Sequence, residues 1–193
     1  MKKNCNWTIL LIGGPSGTGK SRLAYKLAEY YGINVMEIDD IHAAVEAATT
    51  YETHPAIHYW STGVNWKEIG VEANLEWLTS VSKELMPALK AVMDNHLESG
   101  IPVIIEGDFI SPEFAGSLAD SRVKAIFVHE SDNRQIVQNY REREGGNLQQ
   151  YRADISSAYG AWIKERCEVL GIKVMEARPW ETGLDRAIEE GEL

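Results

Sequence analysis

Apolar positions along the chain follow two rhythms. Unbroken or nearly unbroken apolar runs stand at Thr8-Ile9-Leu10-Leu11-Ile12, at Ile101-Pro102-Val103-Ile104-Ile105 and from Val123 to Val128, with shorter ones at Asn34-Val35-Met36-Glu37-Ile38 and from Ile172 to Met175. Runs of that length without polar alternation predict strands buried on both faces, as in a parallel sheet. Between them, apolar residues recur every three or four positions. Ser21 to Tyr31 carries Leu23, Leu27 and Ala28 and stops at Gly32; Lys67 to Ser99 carries Val71, Leu75, Leu78, Leu85, Leu89 and Val92 and stops at Gly100. Ser131-Asp132 caps a helix with Ile136, Val137 and Tyr140. Leu148, Tyr151, Ile155, Ala158, Trp162 and Val169 mark another that ends at Gly171, and Ala177-Arg178-Pro179-Trp180 turns into a last helix with Leu184 and Ile188. These are amphipathic helices, one face inward. Pro87, inside the longest pattern, predicts a kink or a split there. His96 continues the apolar stripe and reads as a structural histidine. Strands alternating with helices predict an α/β domain.

One connection breaks the rhythm. After the second strand, ending at Asp39-Asp40, about sixty residues pass before the sheet resumes, more than an ordinary crossover uses. Residues 40–100 are therefore expected to form an inserted, substrate-binding part of a single domain spanning 1–193. Its first portion holds Tyr51, His54, His58, Tyr59, Trp60 and Trp66. Such side chains suit either a binding loop or the filling of a satellite core.

The chemistry begins where the first strand ends. Gly13-Gly14-Pro15-Ser16-Gly17-Thr18-Gly19-Lys20-Ser21 fits G-x-x-x-x-G-K-[ST] from Gly14 to Ser21, in the order strand, glycine loop, helix. Gly14, Ser16, Gly17, Thr18 and Gly19 turn the chain so that successive N–H groups point at phosphate oxygens beside a helix N-terminus. Lys20 is expected to reach the β- and γ-phosphates of a nucleoside triphosphate, and the Ser21 hydroxyl to ligate the accompanying Mg²⁺. Apolar Ile104-Ile105 followed by Glu106-Gly107-Asp108 places Glu106 as the acid that orients the metal or its water. Asp39 and Asp40, at the carboxyl end of the second strand, lie where open α/β sheets bind ligands. Each of these acids also reads as a helix cap or loop carboxylate. Arg141 and Arg143, beside Gly145-Gly146, read either as a charged segment on a hinge, a lid over 141–150, or as a solvated helix end.

Composition narrows the setting. At 193 residues, 44% apolar and 25% charged, the chain has the make-up of one ordinary globular domain. A net charge of −10 argues against nucleic acid or an anionic membrane as a partner. Cys5 and Cys167 have neither metal-ligand spacing nor a disulfide framework, which suits a reducing, cytoplasmic setting. The start Met1-Lys2-Lys3 resembles the opening of a signal peptide, but the apolar run behind it ends at Gly13 and becomes the phosphate loop.

Taken in order, Gly14 to Ser21, Asp39-Asp40-Ile41-His42, Pro55-Ala56-Ile57-His58-Tyr59, Ile105-Glu106-Gly107 and Tyr140-Arg141-Glu142-Arg143 resemble the P-loop small-molecule kinases. Locally they are most similar to 2-phosphoglycerate kinase and to chloramphenicol phosphotransferase-like kinases. The resemblance implies a P-loop NTPase fold: a five-stranded parallel sheet of order 2-3-1-4-5, helices on both faces, a helical insertion after the second strand and an arginine lid. It implies transfer of the γ-phosphoryl group of ATP, with Mg²⁺, to a hydroxyl of a small molecule, by a monomer or homodimer. By position, Asp39 matches the acid that takes the acceptor's proton, Arg141 and Arg143 match lid arginines, and Arg178-Pro179 matches a turn against adenine. His42, His58, Tyr59 and Asp108 fall among the acceptor-facing positions. Where 2-phosphoglycerate kinases tend to have Asp-x-Ile-Arg, this chain has Asp39-Asp40-Ile41-His42, and the insertion holds lysines but no arginine. A phosphorylated acceptor wants a bidentate arginine clamp, so a less anionic acceptor is expected. Competing expectations are 2-phosphoglycerate kinase proper and a P-loop ATP hydrolase or regulatory switch.

Overall fold

The two rhythms separate in space into a sheet and the helices that cover it. The computed structural model describes residues 5–193, so the charged start at Met1-Lys2-Lys3 lies outside the described residues. Five strands, β1 (Ile9–Gly13), β2 (Asn34–Glu37), β3 (Val103–Gly107), β4 (Val123–His129) and β5 (Lys173–Glu176), pair in parallel in the order β2-β3-β1-β4-β5. That is the order the resemblance implied. Every residue of β1 and β3 is buried, which is why those two segments tolerate no polar alternation.

Alternate residues of β1 serve opposite faces. Ile9 and Leu11 join a core with α2 (Ile38–Ala48), α3 (Gly70–Ser99), α4 (Pro112–Gly116) and α6 (Gln150–Leu170). Leu10 and Ile12 join the other, with α1 (Lys20–Tyr31) and α7 (Gly183–Glu190). A fully buried leucine or isoleucine at such a position contributes about 1.5–3 kcal/mol. The remaining helix, α5 (Asn133–Glu144), packs on α6 through Ile136, Val137, Tyr140 and Ala153. Asp132 caps α5 by accepting a 3.0 Å hydrogen bond from the Arg134 amide.

Several boundaries differ from the sequence expectation. The second strand ends at Glu37 and Ile38 is already helical, so Asp39 and Asp40 occupy the first turn of α2 rather than a strand end. Acidic side chains are favourable there, against the positive end of the helix dipole, and fully buried Ile38 anchors the turn. Pro87 leaves α3 as one helix rather than two. It removes a single backbone donor, while Leu85 and Leu89 on either side are buried against the sheet. Ile101 is exposed and β3 starts later and runs through Gly107, which puts Glu106 within the strand instead of beyond it. Leu148 and Val169 lie outside the core; the inward stripe of α6 is Ile155, Tyr159, Ile163 and Cys167.

The connection over 40–100 shares the main core, since Leu78, Val81, Leu85, Leu89 and Met93 of α3 pack with Ile9 and Leu11. Burial pushes the Cys167 thiol up to about 12, that of an inert core residue. His96 Nδ1 lies 2.9 Å from the Ile101 carbonyl and has a structural role. No helix among the described residues is long and apolar enough to cross a membrane.

Candidate active site

The loop from Gly14 to Gly19 is shaped by close approaches that exclude side chains. At Gly14 (φ 141°) the Val128 carbonyl occupies the space a Cβ would need, and at Gly19 (φ 89°) the indole of Trp180 does. Both glycines are therefore required by packing as well as by backbone conformation. Inside the loop the Thr18 hydroxyl donates to the Pro15 carbonyl at 2.8 Å, and Asn139 of α5 donates to the Gly17 carbonyl at 2.7 Å. The loop is thus braced from within and tied to the neighbouring helix hairpin.

Register brings the acids to the loop. Ile12 lies opposite Glu106 and Gly13 opposite Gly107, so β1 and β3 leave the sheet side by side. Lys20 is 7% exposed and forms an ion pair with Asp108. Burial works to lower its pKa, but the carboxylates of Asp108, Glu106 and Asp39 outweigh that and raise it. Burial raises the Glu106 pKa, against the opposing pull of Lys20 and a hydrogen bond from Ser21. The Asp39 carboxyl, open to solvent on one side, is raised by partial burial and then by Asp108. One ammonium faces three carboxylates, a surplus of negative charge that a divalent cation relieves. Glu106 is 3% exposed and its Oε2 has no hydrogen-bond partner among the described residues. That orphaned oxygen beside the Ser21 hydroxyl fits Mg²⁺, which takes one or two protein oxygens and the rest from phosphates and water.

Two clefts meet at this loop. A groove of about 550 Å³ runs over Gly17, Gly19, Lys20, Ser21 and Arg22, between Trp180 on one side and Gln135, Asn139, Glu142 and Arg143 of α5 on the other. A pocket of about 410 Å³ opens on Pro15, Ser16 and Asp108 and is walled by Trp60, Trp66, Trp77, Phe109, Tyr140 and Tyr159, with Asn74, Arg152 and Ser156 as further polar lining.

The pocket walls are held by hydrogen bonds to backbone. Trp77 Nε1 donates to the Ala56 carbonyl at 2.9 Å, and the Glu84 carboxylate accepts from the amides of Ala56 and Ile57 at 3.1 Å. Asn74 donates to the carbonyls of Trp66 and Gly70 at 2.9 and 2.7 Å. The Tyr159 hydroxyl donates to the Asp108 carbonyl at 3.0 Å and the Ser82 hydroxyl to that of Phe109 at 2.6 Å.

The expected residues divide among these places. Gly17, Gly19, Lys20, Ser21 and Arg143 line the groove, Ser16 and Asp108 the pocket, and Gly14 and Thr18 shape the loop between. Asp39 lines neither cleft but stands within electrostatic reach of Lys20 and Asp108. His42 stacks on Phe109 at 5.4 Å, His58 Nε2 lies 3.0 Å from the Thr49 hydroxyl, and Tyr59 packs edge-on to Trp60 at 4.9 Å; none of the three lines either cleft. Arg141 is exposed and makes no side-chain bond among the described residues. Arg143 pairs with Glu144 at 2.6 Å. Hydrogen bonds from Gln149 and Arg143, and the charge of Arg152, lower that carboxyl to about 2. Arg178 is held by the buried Glu130 through two 2.7 Å bonds, and it is Trp180, two residues on, that reaches the groove.

Trp77, Phe109, Tyr159, Arg152 and Asn74 were not singled out from the sequence. A tryptophan or a buried asparagine on the inner face of a long helix gives the only hint, and neither stands apart from ordinary packing residues.

No family model matches the chain. Relatives are 2-phosphoglycerate kinases: one from Pyrococcus horikoshii is 32% identical over 111 residues, 55% of this chain and 36% of that protein. One from Methanococcus vannielii is 28% identical over 131 residues, 63% of this chain and 42% of that protein. The chain thus aligns with well under half the length of these curated relatives. Among solved structures, a gluconokinase from Sinorhizobium meliloti superposes with a TM-score of 0.56 at 18% identity, covering 98% of this chain and 96% of the other. Shikimate kinase from Acinetobacter baumannii gives 0.53 at 15% identity, covering 97% and 96%. The fold is that of the P-loop small-molecule kinases.

Proposed function

We propose that the chain is an ATP-dependent kinase that moves the γ-phosphoryl group to a hydroxyl of a small molecule. The observation that carries this reading is the meeting of two clefts at one loop, a phosphate groove over Lys20 and Ser21 and a separate pocket over Ser16 and Asp108, joined by the Lys20–Asp108 ion pair. A hydrolase needs the first cleft alone. The acceptor oxygen forms a bond to the γ-phosphorus, the bond from that phosphorus to the bridging oxygen breaks, and ADP leaves with the new charge. The acceptor's proton goes to Asp39 by way of a water, since Asp39 lines neither cleft, and its raised pKa makes it a better base than an ordinary carboxylate.

Phosphoryl transfer depends on positioning and charge neutralisation more than on covalent steps. Lys20 moves from Asp108 to the phosphates, and Asp108, released, orients the acceptor hydroxyl. Mg²⁺ would be held by Ser21 and, through water, by Glu106, and supplies charge neutralisation at the phosphates. Arg143, which lines the groove, meets charge developing on the migrating group; Arg141 lies two residues earlier in the last turn of α5 and is exposed. Trp180 offers a flat face to the nucleotide base. The acceptor of the named relatives, 2-phosphoglycerate, is the competing finer assignment.

The test is nucleotide turnover with and without candidate alcohols. A kinase has low basal hydrolysis that the right alcohol multiplies, with phosphorylated alcohol appearing in step with ADP. Hydrolysis that no alcohol changes, with no phosphorylated product, would refute the assignment in favour of a hydrolase or switch.

A further inference from the structure

The 410 Å³ pocket has a chemical character that the kinase reading, on which this inference rests, does not require. Its walls are aromatic, and their mutual contacts fix them: Trp60 and Trp77 have ring centroids 4.7 Å apart, and Trp77 meets Phe109 edge-on at 5.9 Å. Of the few polar groups that line it, several are already engaged. The Asn74 amide is taken by two carbonyls, and the Ser156 hydroxyl lies 2.8 Å from that of Tyr140. Arg152 bonds both oxygens of Glu144 at 2.9 Å and lies 4.3 Å over the Tyr140 ring. Asp108 becomes the free carboxylate of the lining when Lys20 turns to phosphate, beside the Ser16 hydroxyl and the indole N–H groups of Trp60 and Trp66, which make no hydrogen bond among the described residues.

A polyol or polyanion placed here would lose its water and leave most of its polar groups unpaired, which is costly. A ligand with an apolar ring stacks on these walls and has one hydroxyl to offer Asp108. From this we infer that the acceptor is an uncharged or weakly charged alcohol attached to an aromatic ring, and that 2-phosphoglycerate and sugar acids are excluded by the pocket. A phosphate and a carboxylate on one small acceptor would need two free cations, and Arg152, already shared, is the one cation lining the pocket.

The experiment uses the full chain saturated with Mg²⁺ and a non-hydrolysable ATP analogue, which closes the groove to competitors. Quenching of tryptophan fluorescence reads binding of 1-phenyl-1,2-ethanediol, uridine, gluconate and 2-phosphoglycerate. The two ring-bearing alcohols are expected to bind at least about tenfold more tightly than the other two. Trp77→Leu and Trp66→Leu, which keep apolar bulk and remove a ring, are each expected to weaken ring-alcohol binding about tenfold while leaving analogue affinity unchanged. Equal or tighter binding of 2-phosphoglycerate or gluconate, no binding by any probe, or unchanged affinity in both leucine variants would overturn the inference. Failure of the kinase reading looks different: the analogue itself does not bind, or a ring alcohol binds and receives no phosphoryl group when ATP replaces the analogue.

Discussion

The groove and the pocket sit on opposite sides of one loop and are built in opposite ways. The groove's floor comes from a nine-residue stretch, Gly13 to Ser21, whose hydrogen-bond donors are mostly backbone. The pocket is assembled from side chains on the segment before α3, on α3 itself, on the loop after β3 and on α5 and α6. A contiguous backbone cradle tolerates change only where glycine is free to remain glycine. A composite pocket can be retuned one side chain at a time. On the proposed kinase reading, this difference puts the chemistry in the loop and the choice of acceptor in the walls.

Breaking the groove should have the largest effect. Lys20→Ala is expected to reduce transfer by about 10³-fold or more, with the circular-dichroism spectrum unchanged, if the ammonium serves phosphate as proposed rather than the core. Full turnover in this variant would remove the basis for the groove's role. Next comes Asp39→Asn, expected to lower kcat about 10²-fold and to abolish the acid limb of the kcat profile. In the parent protein that limb should lie above the ordinary carboxylate range, since the Asp39 pKa is raised, and activity should fall as pH drops through it.

Asp108→Asn sharpens the comparison. It should raise the acceptor's KM about tenfold with a smaller change in kcat, because Asp108 faces the pocket. An unaltered KM for acceptor would reassign the residue to the groove. If Arg143 acts as the proposed lid arginine, Arg143→Ala should lower kcat about tenfold with nucleotide affinity nearly unchanged, since such a residue acts chiefly during transfer. Reduced nucleotide binding at constant kcat would contradict that role.

The smallest effect is on stability. Burial raises the Glu106 pKa, so its ionised form is disfavoured in the folded state, and stability lost above that pKa is regained as pH falls through it. Glu106→Gln is therefore expected to raise the Tm of the nucleotide-free protein at neutral pH, with the gain shrinking in acid. A lower Tm at pH 7 would mean that the Lys20 and Ser21 contacts outweigh burial.

The same contrast explains how much was legible. The loop and the acid Glu106 after it could be read because they depend on contiguous residues, whereas the sheet order came only through the resemblance that those motifs carry. Asp39 was misplaced onto a strand because Ile38, fully buried, continues the apolar run of β2 into the first turn of α2. The pocket was partly visible: Trp60 and Trp66 stood out in an aromatic connection. Trp77, Phe109 and Tyr159 were hidden within amphipathic or apolar segments, where an aromatic at a core-facing position carries no mark of facing a cavity. His42 and His58 stood in the segments that carry the resemblance, and the structure gives them a ring stack and a hydroxyl contact outside both clefts.

The Lys20–Asp108 bridge has a kinetic corollary. If Asp108 receives the alcohol as proposed, a cation parked on it keeps both halves of the machinery switched off until a triphosphate draws that cation away. Turnover is then expected to follow a compulsory sequence, nucleotide in before alcohol, which would guard the resting protein against capturing an acceptor it has no means to modify.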